Sequence, residues 1–366
     1  MNSIPFGHTG ISVTALGMGG MRFGKEMSEK DAVGVVRYAC DRGVTYFDTA
    51  PGYCDDRSES IYGKALERAP YRSAVLATKG FNTKSGDEIN AAIENSLRKL
   101  KRDHIDLYFL WCVMNPEQYA AAKAPSRSLE AILKAKERGL IGHIGVSTHM
   151  DSDGIRSIVD DGIFEFIMGP YNAINHRQRD DGLRYARERG MATVAMNPLH
   201  GGVIAQYKDA PLFGSSDTIA SSMRFCLSSP AITVTLSGMN SKAQVDENIS
   251  YTERQDAVRA YLREDLAREL CTACGYCLEE CPAAINIPAF MDAYNIFRIT
   301  GAKAAGKDKL AWQKKFGLLS NDAKAAADCT ACGACERKCT QFLNIIERMK
   351  WLSGMEKEIL SEQKKS

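Results

Sequence analysis

Short apolar segments alternate with helical patterns from residue 15 to about residue 248. Strictly alternating units with near-continuous apolar strands predict a parallel sheet that is buried on both faces. Eight such units are the number at which a parallel sheet closes into a (β/α)₈ TIM barrel of roughly 250 residues. An open, doubly wound α/β sheet is the alternative, but no Gly-x-Gly-x-x-Gly turn leads directly from the first strand into a helix. The predicted strands are 15–19, 44–48, 73–79, 106–111, 143–147, 164–168, 192–196 and 232–236.

Length and composition fit a globular protein with room for a second, smaller domain. The chain has 366 residues, of which 45% are hydrophobic and 25% charged, and its formal net charge is +2. A nearly neutral chain without a basic stripe gives no sign of a nucleic-acid partner. The N-terminus lacks the regions of an export signal, and no apolar run is long enough to span a membrane. We therefore expect a cytoplasmic protein without membrane association.

A carboxylate and a phenol follow the second predicted strand, and a lysine ends the third. Asp48 closes the second strand, Tyr53 lies on the loop beyond it, and Lys79 is the lysine. The carboxyl ends of barrel strands meet at one mouth, so we expect these side chains to converge there. The Lys79 ammonium is expected to lower the pKa of Tyr53, while a buried Asp48 keeps Lys79 charged. The three residues predict a site that protonates an oxygen when hydride reaches the adjacent carbon.

Several segments, in the expected order, resemble the aldo-keto reductase family over roughly residues 5 to 250. These segments are 10–17, 47–53, 58–59, 63–66, 77–79, 105–108, 144–147, 171–172, 198–199 and 247–248. The resemblance implies a (β/α)₈ barrel and reversible hydride transfer between NAD(P)H and a carbonyl. It also implies a catalytic tetrad of Asp, Tyr, Lys and His, of which three members match Asp48, Tyr53 and Lys79.

The fourth tetrad position is occupied by Trp111. The family pattern Ile-Asp-Leu-Tyr-x-x-His aligns with residues 105–111, so tryptophan stands where the family has histidine. Tryptophan has one N–H donor and no acceptor, so it can hold an oxygen but cannot relay a proton. His149 and His200 follow later strand ends. The replacement implies either impaired ketone reduction or a different reaction, such as reduction of an activated C=C bond or an elimination, with Trp111 otherwise a wall of the pocket.

The resemblance also implies which residues would contact a nicotinamide nucleotide. Ser147 and Thr148 would lie near the carboxamide. Met168 replaces the usual glutamine, and Met196 replaces a frequent stacking aromatic residue, where a thioether can pack on the nicotinamide. A phosphate monoester without a bidentate arginine is weakly held, and only Lys242 is basic at the expected adenosine end, so NADH is slightly favoured over NADPH. Loss of nucleotide binding is the alternative. The other expected contacts are Asn197, Leu199, Gly201, Gly238, Glu247 and Asn248.

Eight of the twelve cysteines lie after residue 270, in two copies of the spacing C-x₂-C-x₂-C-x₃-C. This is the ligand spacing of bacterial ferredoxins with two clusters, in which the fourth cysteine of each copy ligates the other cluster. Zinc commonly uses two C-x₂-C pairs, and disulfides are rare in a protein without an export signal. We therefore predict two [4Fe–4S] clusters. One is assigned to Cys271, Cys274, Cys277 and Cys339, and the other to Cys281, Cys329, Cys332 and Cys335.

Together these patterns predict a barrel over residues 1–254 and, over residues 255–366, a helical linker followed by a small α+β ferredoxin-like domain with two clusters. The tail resembles that of aldo-keto reductases that carry a ferredoxin-type domain. An apolar stripe from Phe342 to Leu352 is expected to pack as a helix. The predicted function is NAD(P)H-linked oxidoreduction of a small molecule, and a redox partner could dock at the ferredoxin-type domain. The alternatives are a non-redox lyase or isomerase that uses Tyr53, and an electron-transfer module whose barrel has lost nicotinamide chemistry.

Overall fold

The computed structural model describes residues 1–173, 176–206, 217–253, 269–271, 275–315, 319 and 324–363. The chain divides into two compact units. Unit 1 comprises Met1–Asn172, His176–Pro198 and Ala220–Arg259, and unit 2 comprises Ala173–Asn175, Leu199–Ile219 and Ala260–Ser366. The predicted boundary at residues 254 and 255 and the predicted linker up to residue 268 lie outside the described residues. Within the described ranges, every helix is too short or too polar to cross a membrane.

Unit 1 contains a closed barrel of eight strands that pair in parallel in chain order. A short antiparallel hairpin, β1 (Ser3–Pro5) and β2 (Ser12–Thr14), precedes the barrel. The last strand pairs with the first barrel strand and closes the ring. The prediction of a (β/α)₈ barrel and of its eight strands is therefore confirmed. The barrel strands are β3 (Leu16–Gly19), β4 (Tyr46–Asp48), β5 (Val75–Phe81), β6 (Ile105–Val113), β7 (Ile141–Thr148), β8 (Phe166–Pro170), β9 (Ala192–Met196) and β10 (Val234–Gly238).

Polar side chains fix where several of the helices begin. Ser28, Ser85, Asp151 and Ser241 each accept a hydrogen bond from the backbone N–H three residues further on. These bonds satisfy N–H groups that a helix start otherwise leaves unpaired. The helices up to residue 250 are α1 (Glu29–Asp41), α2 (Tyr53–Asp56), α3 (Ser58–Leu66), α4 (Gly86–Leu100), α5 (Pro116–Ala122), α6 (Ser128–Glu137), α7 (Ser152–Asp160), α8 (Asp180–Glu188), α9 (Val203–Gln206, in unit 2), α10 (Thr218–Leu227) and α11 (Lys242–Ser250).

Apolar side chains fill the barrel interior. Phe6, from the hairpin loop, packs on Tyr46 and Phe166 with ring centroids 5.7 and 5.3 Å apart. All three rings are fully buried. Because Tyr46 lies two residues before Asp48, this layer closes the barrel below the strand ends. The polar side chains at the carboxyl ends of the strands therefore stand above an apolar layer.

The described part of unit 2 consists of helices and turns, without a strand among its described residues, where an α+β domain was expected. Met291, Leu310 and Leu352 are buried in one apolar cluster. Phe342 is 64% exposed, so the buried stripe begins at the following residue, Leu343, rather than at Phe342 as predicted. The helices of unit 2 after residue 270 are α12 (Ile287–Thr300), α13 (Lys303–Lys315), α14 (Ala334–Arg337) and α15 (Ile345–Gln363).

Candidate active site and cluster-binding cysteines

The structure brings the three predicted residues of the proton site together at the ends of β4 and β5. Asp48 and Lys79 are each 1% exposed. The Lys79 Nζ donates a short hydrogen bond to the Asp48 Oδ1 and a second one, of 2.7 Å, to the Thr49 carbonyl. The same Nζ lies 5.3 Å from the centroid of the Tyr53 ring. The geometry thus agrees with the prediction, and the catalytic roles remain predictions.

Burial dominates the electrostatics of this site. Desolvation raises the pKa of the Asp48 carboxyl and lowers the pKa of the Lys79 ammonium, while the attraction between the two opposes both shifts. The pKa of Tyr53 lies well above its usual value, because the phenol is desolvated and the Asp48 carboxylate is near. The prediction that Lys79 lowers the Tyr53 pKa is therefore wrong. Tyr53 is a neutral phenol, which is the protonation state of a proton donor.

Tyr53 begins α2, which is a strained turn rather than a regular right-handed helix. The next three residues, Cys54, Asp55 and Asp56, have φ angles of 55°, 55° and 65°. Residues other than glycine rarely adopt this left-handed conformation, and backbone strain of this kind is concentrated at functional sites. The Arg57 guanidinium holds the turn, since it donates to the Cys54 carbonyl at 3.2 Å and to three carbonyls of the loop after β3.

Trp111 forms an aromatic wall beside Tyr53. The two rings meet edge to face, with centroids 5.5 Å apart and an interplanar angle of 83°. Trp111 also stacks on Phe81, with centroids 4.0 Å apart and an angle of 25°. Phe81 is 42% exposed and was not predicted, because β5 continues two residues beyond Lys79, where the predicted strand ended. An apolar wall therefore stands where the family has its histidine.

A β-bulge after Trp111 brings Cys112 to the same site. The pairing of β6 with β7 shifts register here, and Cys112 has a φ of 66°. The Asn82 Nδ2 donates to the carbonyls of Trp111 and Cys112, at 2.8 and 2.7 Å. The Cys112 thiol is near enough to Tyr53 to contribute to its raised pKa. Sequence reasoning missed Cys112, because side chains alternate along a regular strand and bulges re-aim them.

The predicted contacts with the nicotinamide are mostly buried. Ser147 and Thr148 are buried, and the Thr148 hydroxyl donates to the Val113 carbonyl at 2.9 Å. Met168 is 1% exposed and belongs to the apolar core of the barrel. Thr148 and Met168 thus have little access to a nucleotide. Met196, which is partly buried at the end of β9, is better placed for stacking.

The expected adenosine end carries a carboxylate beside its lysine. The Lys242 Nζ lies 5.2 Å from the centroid of the Tyr38 ring. The Tyr38 hydroxyl donates to Asp246 at 2.8 Å, and the Arg42 Nε lies 2.9 Å from the same carboxylate. Arg42 is thus paired with Asp246, and the slight preference expected for NADH stays a prediction.

The remaining predicted nucleotide contacts lie in both units. The Asn248 Nδ2 donates to the Ser237 Oγ at 3.0 Å, and the Glu247 Oε1 accepts from a tyrosine hydroxyl at 2.8 Å. A Cβ atom on Gly238 would lie 2.4 Å from the side chain of Arg22, a basic residue that was not predicted. The Asn197 carbonyl accepts from an asparagine side chain at 2.8 Å, in unit 1. Leu199 and Gly201 belong to unit 2 and stay predictions.

The two histidines that follow strand ends are buried. Burial lowers the pKa of His149 to about 3, and the Arg179 guanidinium contributes to this shift. Burial lowers the pKa of His200 to about 4, and its Nε2 lies 3.4 Å from the Leu270 carbonyl. Both imidazoles are therefore neutral near pH 7.

Three of the four cysteines assigned to one cluster line a single cavity in unit 2. These are Cys271, Cys277 and Cys339. The fourth, Cys274, lies outside the described residues. A cavity lined by cysteines of both sequence repeats fits the crossed ligation of two-cluster ferredoxins. Among the described residues, no three His, Cys, Asp or Glu side chains are close enough together to hold a single metal ion. A [4Fe–4S] cluster is larger than one ion, so its cysteine ligands stand further apart.

The second set of cysteines is also assembled from both repeats. Burial raises the pKa of Cys335 to about 11, and the acidic groups that add to this rise include Cys329 and Cys281. Cys281 therefore lies near the second repeat although it belongs to the first. Cys332, the remaining member of this set, is exposed.

The two crossed cysteines have matching surroundings. The Ile285 N–H donates to the Cys281 Sγ at 3.5 Å, and the Leu343 N–H donates to the Cys339 Sγ at 3.4 Å. In both cases the donor is the fourth residue after the cysteine, so the two repeats share one local structure.

Comparisons with known proteins agree with this description. The family model for the aldo/keto reductase family matches residues 15–218, and that for the 4Fe-4S dicluster domain matches residues 267–343. An L-galactose dehydrogenase from Arabidopsis thaliana is 27% identical over 277 residues, which cover 67% of this chain and 86% of that protein. An NADH-specific methylglyoxal reductase from Escherichia coli (strain K12) is 25% identical over 230 residues, which cover 56% and 69%. A solved aldo-keto reductase from Bacillus halodurans (holo form) is similar in fold, with a TM-score of 0.61, 22% identity, and coverage of 72% of this chain and 97% of that chain.

Proposed function

The chain belongs to the aldo/keto reductase family, and from this premise we propose that its barrel transfers a hydride between NAD(P)H and a small carbonyl or activated C=C substrate. The observation that carries the proposal is the buried ion pair of Lys79 and Asp48 next to the ring of Tyr53. This is the arrangement expected of a proton donor with a fixed cation behind it. We propose NADH as the preferred nucleotide.

In this proposal each residue of the site has a separate task. A bound nicotinamide supplies or accepts the hydride. Tyr53, held neutral by its raised pKa, donates its proton to the substrate as negative charge develops. Lys79 stabilises the phenolate that remains, and Asp48 holds Lys79 in position. Trp111 and Phe81 form the wall against which an apolar part of the substrate packs.

We also propose that unit 2 holds two [4Fe–4S] clusters with the crossed ligands assigned from the sequence. Cys271, Cys277 and Cys339 around one cavity support this assignment, together with the 4Fe-4S dicluster domain that the chain carries. When bound, the clusters supply one-electron transfer.

Titration with nucleotides tests the preferred cofactor. We expect the full-length holoprotein to bind NADH about tenfold more tightly than NADPH, a difference of about 1.4 kcal/mol, because Arg42 is already paired with Asp246 and a 2′-phosphate without a bidentate arginine is weakly held. Isothermal titration calorimetry measures both affinities. Lys242→Ala should weaken only NADPH binding, whereas Lys64→Ala, which removes an exposed lysine paired with Glu29, should change neither. Absence of binding to both nucleotides would sink the proposal and favour an electron-transfer module.

Replacing Trp111 by histidine tests the substrate class. Trp111→His should raise kcat/KM for small aldehydes by about tenfold or more, because a second group that handles protons contributes on the order of 10²-fold or more in rate. Loss of NADH absorbance measures the rate, with an aldehyde and an enone compared side by side. Phe81→His is the matched control, since it places a histidine in the same wall but away from Tyr53. An unchanged substrate range in Trp111→His would show that the tryptophan does not set the reaction.

A further inference from the structure

A buried guanidinium lies beside one of the two cysteine sets. Arg348, on α15, is 7% exposed. One of its nitrogens donates to the carbonyl of Glu269, two residues before Cys271. Its guanidinium carbon lies 4.8 Å from the centroid of the Tyr294 ring. A positive charge is therefore fixed in the interior of unit 2, next to the segment that supplies the first ligand.

The charge of Arg348 acts on the same cysteines that share the cavity. Burial lowers the pKa of Arg348, while Tyr294, Glu269, Cys271 and Cys339 favour its charged form. Two of these four groups are predicted ligands of one cluster, and each comes from a different repeat. The guanidinium thus lies within electrostatic reach of that cluster site.

The equivalent position in the other repeat is apolar. Arg348 is the ninth residue after Cys339, and the ninth residue after Cys281 is Phe290, which is 1% exposed. The hydrogen bonds to the sulfurs of Cys281 and Cys339, by contrast, are nearly identical. At this pair of equivalent positions the two sites differ in buried charge, while the N–H···S bonds to Cys281 and Cys339 are alike.

Charge matters because reduction adds one electron to a cluster. The reduction potential of an iron–sulfur cluster depends on net charge, on hydrogen bonds to its sulfurs and on exposure. A nearby positive charge stabilises the more negative, reduced form. This interaction is stronger in the protein interior than in water, since the interior screens charges less.

We propose that Arg348 raises the reduction potential of the cluster held by Cys271, Cys274, Cys277 and Cys339, which makes this cluster the electron sink of the pair. The inference rests on the ligand assignment proposed above. Cys332, in the other set, is exposed, so an external one-electron reductant could deliver an electron to that cluster. That electron would then pass to the cluster beside Arg348. The cluster held by Cys281, Cys329, Cys332 and Cys335 would be oxidised by one electron and the cluster beside Arg348 reduced by one, with no bond formed or broken and no proton moved.

An anaerobic redox titration of the full-length holoprotein, followed by electron paramagnetic resonance, tests the proposal. Arg348→Gln should lower the higher of the two potentials and leave the lower one unchanged. At a given applied potential, the ratio of reduced to oxidised cluster is expected to fall about tenfold. This corresponds to a decrease of about 59 mV in the reduction potential of a one-electron couple. Arg337→Gln is the matched control: this guanidinium is exposed and donates to the Cys332 carbonyl at 3.3 Å, so solvent and salt screen its effect.

A second variant is expected to shift the same reduction potential in the opposite direction. It keeps the test decisive if the Arg348→Gln protein loses its clusters. Glu269→Gln removes a half-buried carboxylate that offsets Arg348 and pairs with Arg298 at 2.6 Å, so it should raise the same potential. Unchanged potentials in the variants that retain both clusters, or equal shifts of both potentials, would overturn the role of Arg348. Wild-type protein that lacks the iron and sulfide of two clusters would instead overturn the ligand assignment.

Discussion

Replacing Tyr53 by phenylalanine is expected to lower kcat by about 10²- to 10⁴-fold, the range that a positioned general acid contributes. The raised pKa of Tyr53 keeps the phenol protonated at physiological pH, so the hydroxyl is ready to donate. The change removes a single oxygen atom and leaves the ring packed edge to face on Trp111. Binding of NADH should therefore persist. Single-turnover measurements of NADH oxidation separate the lost proton transfer from binding.

Tyr108 offers a matched control for this substitution. It lies on β6, is fully buried, and its hydroxyl has no hydrogen-bond partner among the described residues. Tyr108→Phe should therefore leave kcat unchanged, which excludes a general effect of removing a buried hydroxyl. A Tyr53→Phe variant that retained wild-type kcat would show that the proton comes from another group.

Breaking the buried ion pair is expected to have the largest effect on stability. Lys79→Met should reduce the free energy of unfolding by about 3–5 kcal/mol, the range for a buried pair that loses one partner. Asp48 would then stay 1% exposed without its cation, or would have to take up a proton. Urea denaturation followed by far-UV circular dichroism measures the change in unit 1. The same variant should be inactive, since the phenolate of Tyr53 would lose its stabilising charge.

The exposed pair of Lys84 and Glu88 is the comparison for Lys79→Met. Lys84 lies just before the N-cap of α4, its Nζ is 2.8 Å from the Glu88 carboxylate, and the two side chains are 47% and 51% exposed. Lys84→Met should change the free energy of unfolding by less than about 0.5 kcal/mol. The double variant Lys79→Met with Asp48→Asn should recover part of the loss, because no uncompensated charge is then buried. Equal effects of Lys79→Met and Lys84→Met would contradict the role given to burial.

The regular parts of the barrel were predictable because their signal is local. All eight barrel strands are apolar runs followed by helical periodicity, and Ser28 caps α1 as its position suggested. The hairpin of β1 and β2 was missed, since two strands of three residues carry too little pattern. The convergence of Asp48, Tyr53 and Lys79 was also predictable, because closing the barrel by itself brings strand ends together.

Features that depend on burial or on irregular backbone were not predictable. The predicted direction of the Tyr53 pKa shift was wrong. The observed direction follows from how much solvent the folded barrel removes from the phenol. Cys112 reaches the site only through a bulge that Asn82, from another strand's loop, holds in place. Arg348 lies 77 residues after Cys271 in sequence, and only the fold of unit 2 brings it near that cysteine.

The crossed ligation proposed above would also make each cluster a cross-link within unit 2. A cluster that joins Cys277 to Cys339 closes a chain loop of about sixty residues, and such a cross-link removes unfolded-state entropy worth on the order of 4 kcal/mol. The other cluster, through Cys281 and Cys335, ties nearly the same loop. Oxidative loss of either cluster would thus release a tether as well as an electron carrier. The resistance of unit 2 to proteolysis in air then becomes a measure of how long its clusters survive.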